Sequence, residues 1–202
     1  PKMGIDVMEV LKASSTKWNF HYHSPGIGVG GHCIPVDPYY YIMSSKGVEN
    51  ESLISPVARK VNEGMPEHAA SLIVPYIDDG AGVLLLGVAY KPNVGDTRES
   101  PAISLMERLL ESGIRVLAWD PLIAKDFVPP DGVEMIGDPY ELPIPVDAIV
   151  LATAHKQCLD LDWGRMQGST KKSIVFDGPR ALEGKKFIAM GWDYLGVGVP
   201  HD

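Results

Sequence analysis

The sequence predicts an α/β fold: a doubly wound parallel sheet in the C-terminal part, preceded by a long helical segment. Three observations carry this. After Gly80 the texture changes, and short apolar runs begin to alternate with a capped amphipathic helix. Strand–helix–strand order implies right-handed crossovers and helices on both faces of the sheet. The first run, "GVLLLGVA" (82–89), is continuously apolar, the pattern of a central strand buried on both faces. Before any strand, residues 51–79 read as one long and largely helical stretch.

Each element follows from local chemistry. Residues 3–14 place Ile5, Met8, Val10 and Leu11 near helical spacing, and Ser14–Ser15 end the run. A glycine-rich loop fills 15–35. "VDPYYYIMSSKG" then predicts a helix with Asp37 at the N-cap, Pro38 at the first helical position and a stop at Gly47. In the 51–79 stretch Pro56, Pro66 and Pro75 are expected to kink or interrupt the helix. Its apolar residues Leu53, Ile54, Val57, Val61, Met65, Ala69, Leu72 and Ile73 form roughly one stripe. A small domain cannot bury a helix of that length alone, so this stripe is expected to pair two copies as a homodimer. "SPAISLMERLLESG" (100–113) has Ser100 at the N-cap, Pro101 at N1 and Gly113 past the end. Further strands are expected at 114–120, 146–153 and 172–178, with a short helix near 159–167. The domain division is 1–80, helical with the glycine loop, and 81–202, the sheet.

Composition removes several function classes. The 202 residues are 45% hydrophobic and 22% charged, as in a globular protein. Net charge is −8, with 18 basic and 26 acidic residues, and no basic run marks a nucleic-acid surface. No apolar run nears the roughly 18 residues of a membrane span. Cys33 and Cys158 make no disulfide framework, so a reduced, cytoplasmic setting is expected. Beginning at Pro1 within a helical pattern, the chain reads as a fragment of a longer protein.

Two stretches carry chemistry. "SPGIGVGGHCIPVDPYY" (24–40) is too apolar for a linker and too glycine-rich for a strand, so it reads as an ordered loop whose backbone lies close to something. The glycines before Cys33 leave room for a substrate to reach its sulfur. A helix starting near Asp37 can aim its amides and dipole at a thiolate, and Asp37 can hold a water for base chemistry. A buried structural cysteine is the competing reading, and residue types alone leave both open. His21, His23, His32 and Cys33 fit no common structural zinc spacing, so no metal is expected. Cys158 lacks an activating neighbour and reads as a small buried hydrophobe. In "LLLGVAYKPNVGDTRESP" (84–101), Tyr90, Lys91 and Arg98 fall beyond the carboxyl end of a strand, where open α/β sheets bind ligands. An aromatic face beside cations near a helix start suits a base and its phosphates; an ordinary loop with an Asp96–Arg98 pair is the alternative. No G-x-G-x-x-G follows any strand.

"GIGVGGHCIPVDPYY" and "LLLGVAYKPNVGDTRESPAISLMERLLESGIRVLAWDP", in this order, resemble the UDP-sugar 6-dehydrogenases, and the likeness runs from the first helix through "ARKVNEGMP" to "VFDG". The "GGHCIPVDPYY" form is most similar to the N-acetylhexosamine branch. The resemblance implies a Rossmann-like, UDP-binding C-terminal domain behind the end of a helical dimerisation region. It implies NAD as cofactor, bound by a domain outside this chain, and a UDP-sugar substrate, UDP-N-acetyl-D-mannosamine first and UDP-glucose as the alternative. It implies Cys33 as nucleophile and Asp37 as the aspartate assisting water. Gly26, Gly28 and Gly30 then wrap the substrate, Tyr90 and Lys91 contact the UDP part, and Arg98 reaches the NAD pyrophosphate. Lys17 stands where many members carry a substrate-binding arginine that crosses the dimer. Arg180 in "DGPRAL" lies one position after the arginine of the family's Asp-Gly-Arg or Asp-Thr-Arg. Taken alone, the chain is expected to be an inactive UDP-binding and dimerising module.

Overall fold

In a computed structural model, residues 3–49, 51–78 and 80–200 are described. The chain opens with helix α1 (Val7–Ser14), followed by α2 (Asp37–Ser45), α3 (Ile54–Glu63) and α4 (Met65–Ile73), with a 3-10 turn at Val74–Tyr76. Then come β1 (Gly82–Leu86), α5 (Pro101–Glu111), β2 (Arg115–Trp119), β3 (Val133–Met135) and β4 (Val146–Leu151). Helices α6 (Lys156–Leu159) and α7 (Trp163–Gln167), strand β5 (Thr170–Asp177), helix α8 (Gly184–Ala189) and strand β6 (Asp193–Gly196) complete it. All five strand pairings are parallel, in the order β3-β2-β1-β4-β5-β6. This is the doubly wound, Rossmann-type order.

The alternation of β1 divides the core. Val83 and Leu85 face α5 (Ala102, Leu105, Met106, Leu109) and α4 (Ala69, Ala70, Ile73). Leu84 and Leu86 face the other layer, where Cys158, Trp163, Met166, Phe187 and Trp192 pack. Ser100 caps α5 as expected, accepting from the Ala102 amide, with Pro101 in the first turn and Gly113 beyond the end at φ +77.

Three expectations are corrected, and one is met at a defined place. Helix α1 begins at Val7 rather than at residue 3, because Asp6 accepts from the Met8 amide and caps it there. Asp37 is the first helical residue of α2 and not its cap; Val36 occupies that place without a side-chain bond. The 51–79 helix is interrupted as expected before Pro66, at Gly64, which ends α3 and begins α4, and it passes into the 3-10 turn at Pro75. Pro56 and Pro66 sit in the first turns of α3 and α4, where the missing amide hydrogen costs nothing. Asp79, its last residue, lies outside the described residues. The helix near 159–167 is two short ones, α6 and α7. Strand β3, helix α8 and strand β6 carried too short a pattern to be read.

The apolar stripe of 51–79 divides at the same break. Ala69 and Ile73 are buried against the sheet layer, and Leu72 packs beside them. Leu53, Ile54, Val57 and Val61 remain exposed on α3.

Candidate functional site

Strands β1 and β4 lie side by side, and the connections leaving them run to opposite faces, so a crevice opens outside their carboxyl ends. The chain leaving β1 turns at Gly87, φ +85, where a Cβ would stand 2.4 Å from the Thr153 carbonyl oxygen. Beyond it the backbone is held from three elements. The Val88 and Ala89 amides donate to Asp120 Oδ2 at 2.7 and 2.9 Å, from the end of β2. Thr153 Oγ1, after β4, donates to the Ala89 carbonyl at 2.6 Å. Ser100 Oγ donates to the Val88 carbonyl at 2.7 Å. The Tyr90 amide closes the following loop on the Asp96 carbonyl at 2.9 Å. Tyr90 and Lys91 therefore leave a fixed frame, with Lys91 Nζ 5.3 Å from the centre of the Tyr90 ring.

The glycine loop lies on this frame. A Cβ at Gly30 would stand 2.3 Å from the Glu99 carbonyl oxygen and 2.8 Å from Tyr90 Cβ. At Gly31, φ +97, it would meet the Tyr90 ring at 2.9 Å. Those two positions need glycine because backbone passes where a side chain would go. The Gly31 amide donates to the Arg98 carbonyl at 3.0 Å. From the other side Asn62 on α3 clamps the loop: its Oδ1 accepts from the Val29 amide at 2.8 Å, and its Nδ2 donates to the Val29 carbonyl at 3.1 Å. Between loop and sheet a cavity of about 380 Å³ is lined by Gly26, Gly28, Tyr90, Pro101, Thr153 and Ala181, among others.

Cys33 is exposed just beyond this loop. The Val36 and Asp37 amides, expected to face the sulfur, donate to the Cys33 carbonyl at 2.9 and 2.8 Å instead. They lock the turn that carries the thiol and place Asp37 one turn away. Arg98 is exposed and forks onto Asp96, the local pair of the plainer reading, with Nη2 2.6 Å from Oδ2. That bond lowers Asp96 to about 2 and raises Arg98, with smaller support from the nearby Tyr90 and Cys33. Tyr90, Arg98 and Cys33 thus share one edge. Cys158 is fully buried, and burial pushes its thiol up to about 12. No group of three or more His, Cys, Asp or Glu suited to a metal occurs among the described residues.

Two cations lie apart from this edge. Lys17 is exposed in the turn after α1. Arg180, φ +54, turns its guanidinium away from the cavity its neighbours Pro179 and Ala181 line. It donates to Asp6 Oδ2 at 2.8 Å, the Val197 carbonyl at 3.0 Å and Tyr194 Oη at 3.3 Å. Its side chain is 7% exposed, so it ties α1 to the sheet edge. Sequence reasoning passed over Asn62, Thr153 and Asp120. Asn62 stands inside "ARKVNEGMP", a motif noticed only for its likeness; the other two follow strands, and that position was their one signal.

Residues 84–184 match the UDP binding domain of the UDP-glucose/GDP-mannose dehydrogenase family, and residues 1–64 match its central domain. A UDP-N-acetyl-D-mannosamine dehydrogenase of Pyrococcus horikoshii is 33% identical over 96% of this chain and 44% of its own length. A UDP-N-acetyl-D-glucosamine 6-dehydrogenase of Pseudomonas aeruginosa is 37% identical over 77% of this chain and 38% of its own. Among solved structures, an NDP-N-acetyl-D-galactosaminuronic acid dehydrogenase from Methanosarcina mazei Go1 superimposes with a TM-score of 0.85 at 29% identity, covering 98% of this chain and 45% of that one. The chain spans less than half the length of these relatives.

Proposed function

Because the chain belongs to the UDP-glucose/GDP-mannose dehydrogenase family, we propose that it is the nucleotide-binding and thiol-bearing part of an NAD-dependent UDP-sugar 6-dehydrogenase. The single observation that carries this reading is the contact of the Cys33 loop with Tyr90, which gives thiol and nucleotide-binding edge one site. The substrate is a UDP-N-acetylhexosamine, UDP-N-acetyl-D-mannosamine first; the names of both sequence relatives above support that class. Domain roles follow the two matches, with 1–80 bearing the thiol and pairing the copies, and 81–202 holding UDP.

Tyr90 stacks or edges against the uridine part and Lys91 meets its phosphates, while Gly26, Gly28 and Gly30 admit the sugar close to the backbone. Two NAD⁺, bound in turn, would each accept one of the two hydrides. This chain has no G-x-G-x-x-G turn between β1 and α5, so its own sheet does not cradle a dinucleotide. Arg98, exposed beside Cys33, is suited to meet the pyrophosphate of NAD held elsewhere in the enzyme. The Cys33 thiolate adds to the aldehyde carbon left by the first oxidation, forming a C–S bond and moving the carbonyl electron pair onto oxygen. The adduct cannot diffuse away. Its oxidation leaves a thioester on Cys33. Asp37 orients the water that cleaves the C–S bond, releasing the uronate and restoring the thiol. Lys17 stays in this proposal as a point charge, since its ammonium has no ion-pair partner among the described residues. The three bonds of Arg180 favour a role in holding the site's rim. No helix among the described residues is long and apolar enough to cross a membrane; we place the enzyme in the cytoplasm, where an exposed thiol stays reduced.

The test counts NADH in the full-length enzyme that carries this chain. About two NADH per UDP-sugar are expected from the two-step chemistry, and Cys33→Ser should block the second oxidation. Two NADH at an undiminished rate from Cys33→Ser would overturn the assignment. Lys91→Ala should weaken UDP binding by ~1.5–3 kcal/mol, the worth of a charge-assisted contact; calorimetry showing equal affinity removes Lys91 from the site.

A further inference from the structure

His155 follows β4, and its side chain is 0% exposed, as is that of Asp120. Its Nδ1 accepts from the Asn93 amide at 2.9 Å. That bond occupies the lone pair of Nδ1 in the neutral ring, so the hydrogen resides on Nε2, which lies 3.0 Å from Asp120 Oδ2 and donates to it. Asp120 also accepts from Leu122, Val88 and Ala89, which fixes its carboxylate and therefore the ring. Asn93 answers in kind, because its Oδ1 accepts from the Lys156 amide at 2.9 Å. It holds φ +62, a conformation few side chains adopt. Asn93 lies two residues past Lys91, in the loop that joins Tyr90 to Arg98.

A buried polar pair of this kind costs desolvation that an apolar side chain would not. An apolar residue cannot, however, pin the backbone of the loop. We infer that His155 is a positioning residue of the nucleotide site: Asp120 sets its tautomer, and its Nδ1 holds the 91–96 loop so that Tyr90 and Lys91 face the ligand ready-placed. This rests on the reading of Tyr90 and Lys91 as UDP contacts. Preorganisation of that kind sets affinity by removing an ordering cost at binding.

Two substitutions separate the two ring nitrogens. A glutamine amide matches Nε2 and keeps the donor to Asp120, while an asparagine oxygen matches Nδ1 and keeps the acceptor for Asn93. UDP binding to the 202-residue chain is measured by calorimetry, and stability by urea unfolding. His155→Gln should weaken UDP binding about tenfold, the scale of one lost hydrogen bond with its ordering cost. His155→Asn should recover affinity to within about threefold of wild type, although both variants lose stability. A merely structural histidine predicts that affinity follows stability in both. Should His155→Gln not fold, Asn93→Ala decides, since it strains an exposed loop residue while leaving the core intact; it should weaken UDP binding several-fold. Wild-type binding with unchanged affinity in His155→Gln, or in Asn93→Ala, overturns the inference alone. No UDP binding by wild type overturns the nucleotide reading, and this inference with it.

Discussion

The two cysteines show how environment decides the fate of one side chain. Cys158 is packed among Trp163, Met166 and Phe187 and has its thiol pushed up to about 12, first by burial and then by the nearby Asp120. At pH 8 that leaves on the order of one part in ten thousand as thiolate. Cys33 is exposed on a locked turn. Iodoacetamide at pH 8 should therefore alkylate Cys33 at least about a hundredfold faster than Cys158. Peptide mapping of time points reads the two rates, and comparable rates would contradict the burial of Cys158. The expectation of a buried hydrophobe at 158 came from a missing neighbour, not from a positive signal. For Cys33 the residues left thiolate and structural readings open, and its exposure supports the thiolate role proposed here.

At the scale of elements, α3 stands apart from α4 and α5, which bury an apolar face within the chain. Helix α4 buries Ala69, Ala70 and Ile73, and α5 buries Ala102, Leu105, Met106 and Leu109. Helix α3 buries none of its residues. Its Leu53, Ile54, Val57 and Val61 stand exposed, and Tyr40 and Met43 on α2 are exposed as well. An apolar surface of this extent marks an interaction site. The homodimer proposed here uses that face, narrower than the 51–79 stripe because α4 is already covered from within. Sedimentation at micromolar concentration should give a dimer. Val57→Asp together with Val61→Asp should weaken it at least tenfold, a cost of burying charge in an apolar contact. A monomer at high micromolar wild-type concentration would exclude the face as a self-contact. Pro66 announced the α3–α4 break, which falls two residues earlier at Gly64 because proline is tolerated in the first turn of the helix it begins.

Over the whole molecule, two buried carboxylates at strand ends answer acid in opposite senses. Burial raises Asp120, but hydrogen bonds from His155 and the Leu122, Ala89 and Val88 amides outweigh it and bring it to about 2. Its folded value is below the unfolded one, so its stabilisation is present above about pH 4 and is lost as pH falls toward 2. Asp177 is raised, chiefly by burial, despite bonds from Leu182, Tyr194 and Ala181. Protonating it favours the fold, so it partly offsets Asp120 as pH falls. Comparison of wild type with Asp120→Asn cancels the Asp177 part. Urea midpoints between pH 5 and 2 should show wild type losing on the order of 2 kcal/mol more than Asp120→Asn, although the variant is less stable at neutral pH. Parallel acid limbs would show that Asp120 is not the controlling carboxylate.

What the sequence by itself determined was whatever depends on neighbours along the chain. The continuous run at 82–89 and the Ser100–Pro101 start of α5 follow from local pattern, and with them the parallel sheet and the edge where Tyr90 and Arg98 lie. The glycine density at 26–31 announced a close approach, though not to what. Only the tertiary structure decided the partners. Asn62 meets Val29 across 33 positions, Asn93 meets His155 across 62, and Arg180 meets Asp6 across 174. Such contacts have no period or spacing, because packing of the layers, and not the chain's local geometry, brings the groups together. That is why Arg180, placed by resemblance among the substrate-binding residues, is engaged at the sheet edge, while an unremarked histidine sits behind the loop that follows Lys91.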